Sequence, residues 1–125
     1  MNKTEPKKIL IVEDELAVMM SVMDTLEVTG FEVQRAYSGA DCMKVIKSGY
    51  YPDLILLDLM LPDTHGFEVY KQLRTLPALK NTKIAAFTAV AAKDAIQQMN
   101  EMGFDNIFHK PYSPEKLIEE IKRML

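Results

Sequence analysis

The sequence predicts an α/β domain built on a doubly wound, five-stranded parallel sheet, and three observations carry that reading. Short unbroken apolar runs recur along the chain, at Ile9-Leu10-Ile11-Val12, Leu54-Ile55-Leu56-Leu57 and Ile84-Ala85-Ala86-Phe87, with a weaker one at Ile107-Phe108. Runs this short, with no polar alternation, suit strands buried on both faces. Segments with helical periodicity separate them, and the resulting order βαβαβαβαβα calls for parallel pairing with helices on both sides of the sheet. Each run also stops abruptly at a polar group: Glu13, Asp58, Thr88, and His109-Lys110-Pro111.

Taken in order, residues 1–7 are a polar lead-in and 9–12 the first strand. A helix is predicted over about residues 16–28, with Val18, Met19, Val22, Met23 and Leu26 on its apolar side and Gly30 closing it. Residues 31–36 supply a further strand. Ser38 is the candidate N-cap of a helix over about 38–48 that ends at Gly49. After the 54–57 strand, Phe67, Tyr70 and Leu73 mark a helix over about 66–76, stopped by Pro77. The 84–87 strand leads to a helix over about 92–102, carrying Ala95, Ile96, Met99 and Met102 and ended by Gly103. The last helix is the best signalled. Ser113 is its N-cap, Pro114 takes the first position, Glu115 complements the dipole, and Leu117, Ile118, Ile121 and Leu125 line one face.

The bulk properties agree with one domain. The chain has 125 residues, of which 48% are hydrophobic and 26% charged, the balance of a globular protein. A net charge of −3 gives no support to nucleic-acid binding. The single thiol, Cys42, excludes an internal disulfide and suits a reducing cytoplasm; its apolar neighbours point to a core position. No apolar run approaches the roughly 20 residues that span a bilayer, and the polar start lacks the apolar stretch of a signal peptide.

In open parallel sheets, ligands bind outside the carboxyl ends of the strands. That rule selects Glu13, Asp14, Asp58, Thr88 and Lys110, residues that only the sheet can bring together. Crowded carboxylates require protonation or a cation. All-oxygen ligands suit Mg²⁺, which takes one or two carboxylates and keeps positions free for phosphate oxygens. Lys110 adds a compact positive charge and Thr88 a hydroxyl. Together these residues form an anion site beside a carboxylate, the requirement for phosphoryl transfer to an aspartate.

The segments Lys8-Ile9-Leu10-Ile11-Val12-Glu13-Asp14-Glu15, Asp53 to Gly66, Phe87-Thr88-Ala89 and Lys110-Pro111 resemble the receiver domain of two-component response regulators. The resemblance spans roughly residues 8–125 and implies a flavodoxin-like (βα)5 fold with strand order 2-1-3-4-5. It implies that Asp58 is the phosphoacceptor. Mg²⁺ would be held by Asp14, Asp58 and the Met60 carbonyl, with Glu13 acting through water. Thr88, Lys110 and the N–H groups of Met60 and Ala89 would face the phosphoryl group, and Lys110-Pro111 would be a cis peptide. The implied partners are a sensor histidine kinase or histidine phosphotransfer protein and an unknown downstream target, with no direct nucleic acid and no membrane. The chain would be cytoplasmic, a monomer or a weak phosphorylation-linked dimer, and no enzyme beyond its own phosphorylation and dephosphorylation. Two departures stand out: Ile107 lies where the family usually has an aromatic switch, and Thr64-His65-Gly66 replaces a common Met-Asp-Gly.

The chain stops after the fifth helix, so residues 1–125 are expected to be a single receiver without an output domain, either stand-alone or taken from a hybrid kinase or longer regulator. A flavin-binding module would need a phosphate loop where Glu13-Asp14-Glu15 stands. A phosphatase with an aspartate nucleophile would commonly carry a second aspartate where Met60 stands. A receiver no longer able to take phosphate is opposed by the intact set Asp14, Asp58, Thr88 and Lys110. His65 and His109 are expected in loop or solvent-facing roles rather than as metal ligands. The apolar Met60 and Val90 are expected to restrict hydrolytic water.

Overall fold

A computed structural model describes residues 5–125. Of the predicted lead-in, residues 1–4 lie outside the described part, and 5–7 are exposed and precede the first strand. The elements are β1 (Lys8–Val12), α1 (Leu16–Thr29), β2 (Glu32–Ala36), α2 (Gly39–Lys47), β3 (Leu54–Leu57), α3 (Gly66–Arg74), β4 (Lys83–Thr88), α4 (Lys93–Met102), β5 (Asn106–His109) and α5 (Pro114–Met124), with a 3-10 turn at Pro77–Leu79. All strands pair in parallel, in the order β2-β1-β3-β4-β5.

The apolar runs take the inner strands because only there are both faces covered. Every residue of β3 and all of β1 after Lys8 are buried. The edge strand β2 carries Glu32, Gln34 and Arg35 exposed, a polar rim that discourages pairing with another chain. Alternate side chains feed two cores. Leu10, Val12, Ile55, Leu57, Ile84 and Ala86 pack with Cys42 and Ile46 of α2, Val69, Tyr70 and Leu73 of α3, and Met99 of α4. Ile9, Ile11, Leu54, Leu56, Ala85 and Phe87 pack with Met19, Val22 and Leu26 of α1 and Leu117 and Ile121 of α5.

Local signals set the helix ends. Gly30 adopts φ 107° and its N–H reaches the Leu26 and Glu27 carbonyls, closing α1. The Ser38 hydroxyl accepts from the Asp41 N–H at 3.0 Å, while the Asp41 carboxylate accepts from the Tyr37 N–H at 2.9 Å. Both ends of a reciprocal cap are therefore satisfied at α2. Ser113 caps α5 ahead of Pro114. Helix α3 stops at Arg74, short of the predicted 76. A residue before proline is driven out of the helical region, and Leu76 is extended at φ −90°, ψ 117°, so Pro77 opens a new turn instead.

Cys42 lies fully buried, as its neighbours in sequence suggested, and burial pushes its thiol up to about 12, with the Asp41 charge adding to the effect. At pH 8 iodoacetamide should label native Cys42 on the order of 100-fold more slowly than the urea-unfolded chain, because only opening exposes a reactive thiolate. Mass spectrometry of timed samples checks this, and native labelling at the free-thiol rate would contradict the packing described.

Candidate functional site

Strand order reverses about β1, so the chain leaves β1 and β3 towards opposite neighbours and opens a crevice at their carboxyl ends. Glu13 directly follows β1 and Asp58 directly follows β3, which places two carboxylates at this crevice. Glu13 is 1% and Asp58 5% exposed, whereas Asp14 is open to solvent. Oxygen atoms of all three lie within 4.8 Å of one another, the one such cluster among the described residues.

Lys110, reaching in from the end of β5, is the counter-charge. Its ammonium donates to Asp58 Oδ2 at 3.1 Å and forms a close ion pair with Glu13. Burial raises the Glu13 carboxyl above its ordinary value, against hydrogen bonds from Lys110 and the Glu15 N–H that favour its ionised form. Burial alone would lower Lys110, but its hydrogen bonds to Glu13 and Asp58 and their charges outweigh this and hold it above the usual lysine value. Three carboxylates against one ammonium still leave two formal negative charges in excess. Oxygen-only donors, that excess, and the solvent-facing Asp14 fit a hard divalent cation such as Mg²⁺.

The other residues selected from the sequence follow β3 and end β4. The Met60 N–H donates to Asp58 Oδ1 at 3.3 Å, orienting the carboxylate, while the Met60 side chain is exposed. Thr88 is fully buried at the last position of β4; its hydroxyl accepts from the Val90 N–H at 3.2 Å, and its carbonyl accepts from the Lys110 N–H at 3.0 Å. Ala89 is exposed just beyond it, at the start of the loop to α4. The Lys110-Pro111 peptide is cis. On β5, half-buried Ile107 packs into the core of α2, α3 and α4, and Phe108 into that of α1 and α5, as strand alternation requires.

His65 caps α3, its Nδ1 accepting from the Phe67 N–H at 3.0 Å, and His109 is exposed at the end of β5. Asp63, singled out by no local pattern, accepts from the N–H groups of Gly39 at 2.9 Å and Ala40 at 2.8 Å. It thereby ties the loop after Asp58 to the start of α2, and those bonds hold its carboxyl below the ordinary value. Its partners lie more than twenty positions away in sequence, out of reach of any local signature.

Comparisons with known proteins agree with this fold. The family model described as the response regulator receiver domain matches residues 9–122. The polar-differentiation response regulator DivK of Brucella ovis is 34% identical over 119 residues, covering 95% of this chain and 96% of DivK. The chemotaxis protein CheY4 of Vibrio cholerae superposes with a TM-score of 0.88 at 30% identity, covering 97% of this chain and all of that one. A CheY-like receiver domain protein from Methanospirillum hungatei gives a TM-score of 0.87 at 30% identity, covering 95% and 93%. No helix among the described residues is long and apolar enough to cross a membrane.

Gly66 locks the floor of the site. A Cβ there would lie 2.6 Å from the Asp58 carbonyl oxygen and 2.7 Å from Leu59 Cα, backbone atoms that cannot swing aside. Gly66→Ala should cost about 1–3 kcal/mol in urea unfolding and shift the backbone amide resonances of Asp58 to Met60. Unchanged stability and unchanged resonances would show that the loop yields freely.

Proposed function

The chain belongs to the response regulator receiver domain family, and from that membership we propose that it is a signalling switch in which Asp58 accepts a phosphoryl group from a phosphohistidine of a partner protein. The observation that carries this reading is the Asp58 carboxylate itself. It is buried at the sheet's carboxyl edge, paired with Lys110, and crowded by Glu13 and Asp14.

In the proposed step an Asp58 oxygen attacks phosphorus in line, the P–N bond to the donor imidazole breaks, and its electron pair leaves with the histidine. Lys110 turns N–H bonds towards the phosphoryl oxygens, and the Thr88 hydroxyl and the N–H groups of Met60 and Ala89 add neutral donors. Mg²⁺, when bound, would neutralise charge shared by the carboxylate and the phosphoryl oxygens. Asp14, Asp58 and the Met60 carbonyl would hold it, with Glu13 acting through water. The chain then acts on no substrate but itself.

The donor is read as a sensor histidine kinase or a histidine phosphotransfer protein, and the output as docking to a further protein. Residues 1–125 are taken as one receiver, monomeric or weakly dimeric once phosphorylated, working in the cytoplasm without contacting nucleic acid or membrane. With Ile107 in place of an aromatic, transmission runs through the loop after Thr88 and α4, without rotation of a ring on β5.

Incubation with acetyl phosphate and Mg²⁺ should add the mass of one phosphoryl group to the intact chain. Asp58→Asn or chelation of the metal should abolish the gain. No gain, under conditions that label a control receiver, would sink the proposal. The apolar Met60 and Val90 are read as limiting the entry of hydrolytic water. Met60→Asn and Val90→Asn should therefore speed loss of the phosphoryl group several-fold, and decay at the unsubstituted rate would remove that role.

A further inference from the structure

Two carboxylates do not by themselves fix a lysine. Its ammonium sits on a flexible four-carbon stem and can follow either acid outward. Lys110 is held from another side as well. Its Nζ lies over the ring of Phe87, 5.3 Å from the centroid, within the range of a cation–π interaction. Phe87 is fully buried and immediately precedes Thr88 on β4. Its ring is itself braced: Tyr112 meets it edge-on, centroids 5.7 Å apart at 62°. The Tyr112 hydroxyl is in turn hydrogen-bonded to Ser21 Oγ of α1 at 2.5 Å. A chain of contacts therefore runs from α1 through two aromatic rings to the ammonium at the acidic crevice.

Resting on the reading of Asp58 as phosphoacceptor, we propose that Phe87 is a positioning residue for phosphoryl transfer: its ring face keeps the Lys110 ammonium beside Asp58, and Tyr112, anchored to Ser21, keeps the ring in place. An aromatic face suits this role better than a third acid. It attracts the cation without supplying an oxygen acceptor, so the N–H bonds stay available for an incoming phosphoryl oxygen. It also adds no negative charge to a crevice that already holds two in formal excess. Leucine would fill much of the same buried space but carries no ring quadrupole.

The test is the rate of phosphorylation by acetyl phosphate with Mg²⁺, followed by intact mass over a range of acetyl phosphate concentrations. Phe87→Leu should slow the saturating rate by about three- to tenfold, with the half-saturating concentration little changed. In a Lys110→Ala background the same substitution should produce no further loss, since a residue acting through Lys110 has nothing left to position. A wild-type rate in Phe87→Leu, or an equal loss in both backgrounds, would overturn the proposal. Tyr112→Leu removes the brace from a half-buried position and should slow the reaction in the same Lys110-dependent way. Should Phe87→Leu fail to unfold cooperatively in urea, Tyr112→Leu decides, and a wild-type rate there overturns the proposal. Wild type assayed in parallel separates the two readings. An unlabelled wild type overturns the role of Asp58 and this inference with it, whereas labelled wild type with unaffected variants overturns this inference alone.

Discussion

Everything at the carboxyl edge of the sheet depends on one electrostatic constraint: three carboxylates held together around one ammonium. Glu13 and Asp58 are almost wholly buried, and a buried charge is tolerated only when paired and hydrogen-bonded. Lys110 pairs with both, and backbone N–H groups of Glu15 and Met60 serve the oxygens it does not reach. The balance is incomplete, since three carboxylates share one ammonium and, among the described residues, Asp14 has no counter-charge of its own. That remaining negative charge gives a divalent cation reason to bind and, in the proposed role, couples metal binding to phosphorylation.

The sheet turns this constraint into geometry. Glu13 and Lys110 are ninety-seven positions apart in sequence, and their meeting is decided by strand order alone. With β1 and β3 adjacent and β4 between β3 and β5, the strands β1, β3, β4 and β5 end along one edge of the sheet in the order Glu13, Asp58, Thr88, Lys110. The same pairing that buries Leu54 to Leu57 therefore delivers Asp58, so core packing and site placement cannot be varied independently. Gly66 shows the tightness of the coupling: the start of α3 lies so close beneath the Asp58 carbonyl that a single methyl group has no room.

The pattern of apolar runs was enough to read the elements, the parallel sheet and the strand-end residues, because burial on both faces leaves a run with no polar alternation. Cys42 and the divergent faces of Ile107 and Phe108 were legible for the same reason: local periodicity decides which side a residue takes. What stayed hidden depends on contacts between distant segments. The Asp63 carboxylate reaches the start of α2 only because the loop after Asp58 folds back on it. His65 gives no hint in sequence that its ring accepts the Phe67 N–H. The early stop of α3 at Arg74 follows from a restriction on Leu76 that a pattern of apolar positions does not express. The Phe87–Tyr112–Ser21 contacts join β4, the segment after Pro111 and α1, three parts of the chain with no common periodicity.

The distribution of aromatic side chains around Lys110 bears on how a signal could leave the site. Ile107 presents a branched aliphatic group to the side of α3 and α4, so no ring on β5 is available there to exchange an outward for an inward position. The ring next to the ammonium, Phe87, and the Tyr112 ring that braces it lie on the other face, against α1 and α5. A phosphoryl group on Asp58 would draw Lys110 away from Glu13, and any such movement changes the distance between the ammonium and the Phe87 ring. Because that ring is buried and Tyr112 is tied to Ser21, such a disturbance would be felt at α1 as well as in the loop after Thr88. Thr88, one residue beyond Phe87 on the same strand, faces the opposite way and would carry the movement of its own loop towards α4. In the proposed role, adjacent residues of β4 would therefore connect phosphorylation of Asp58 to both layers of helices, with alternation along the strand dividing the two routes.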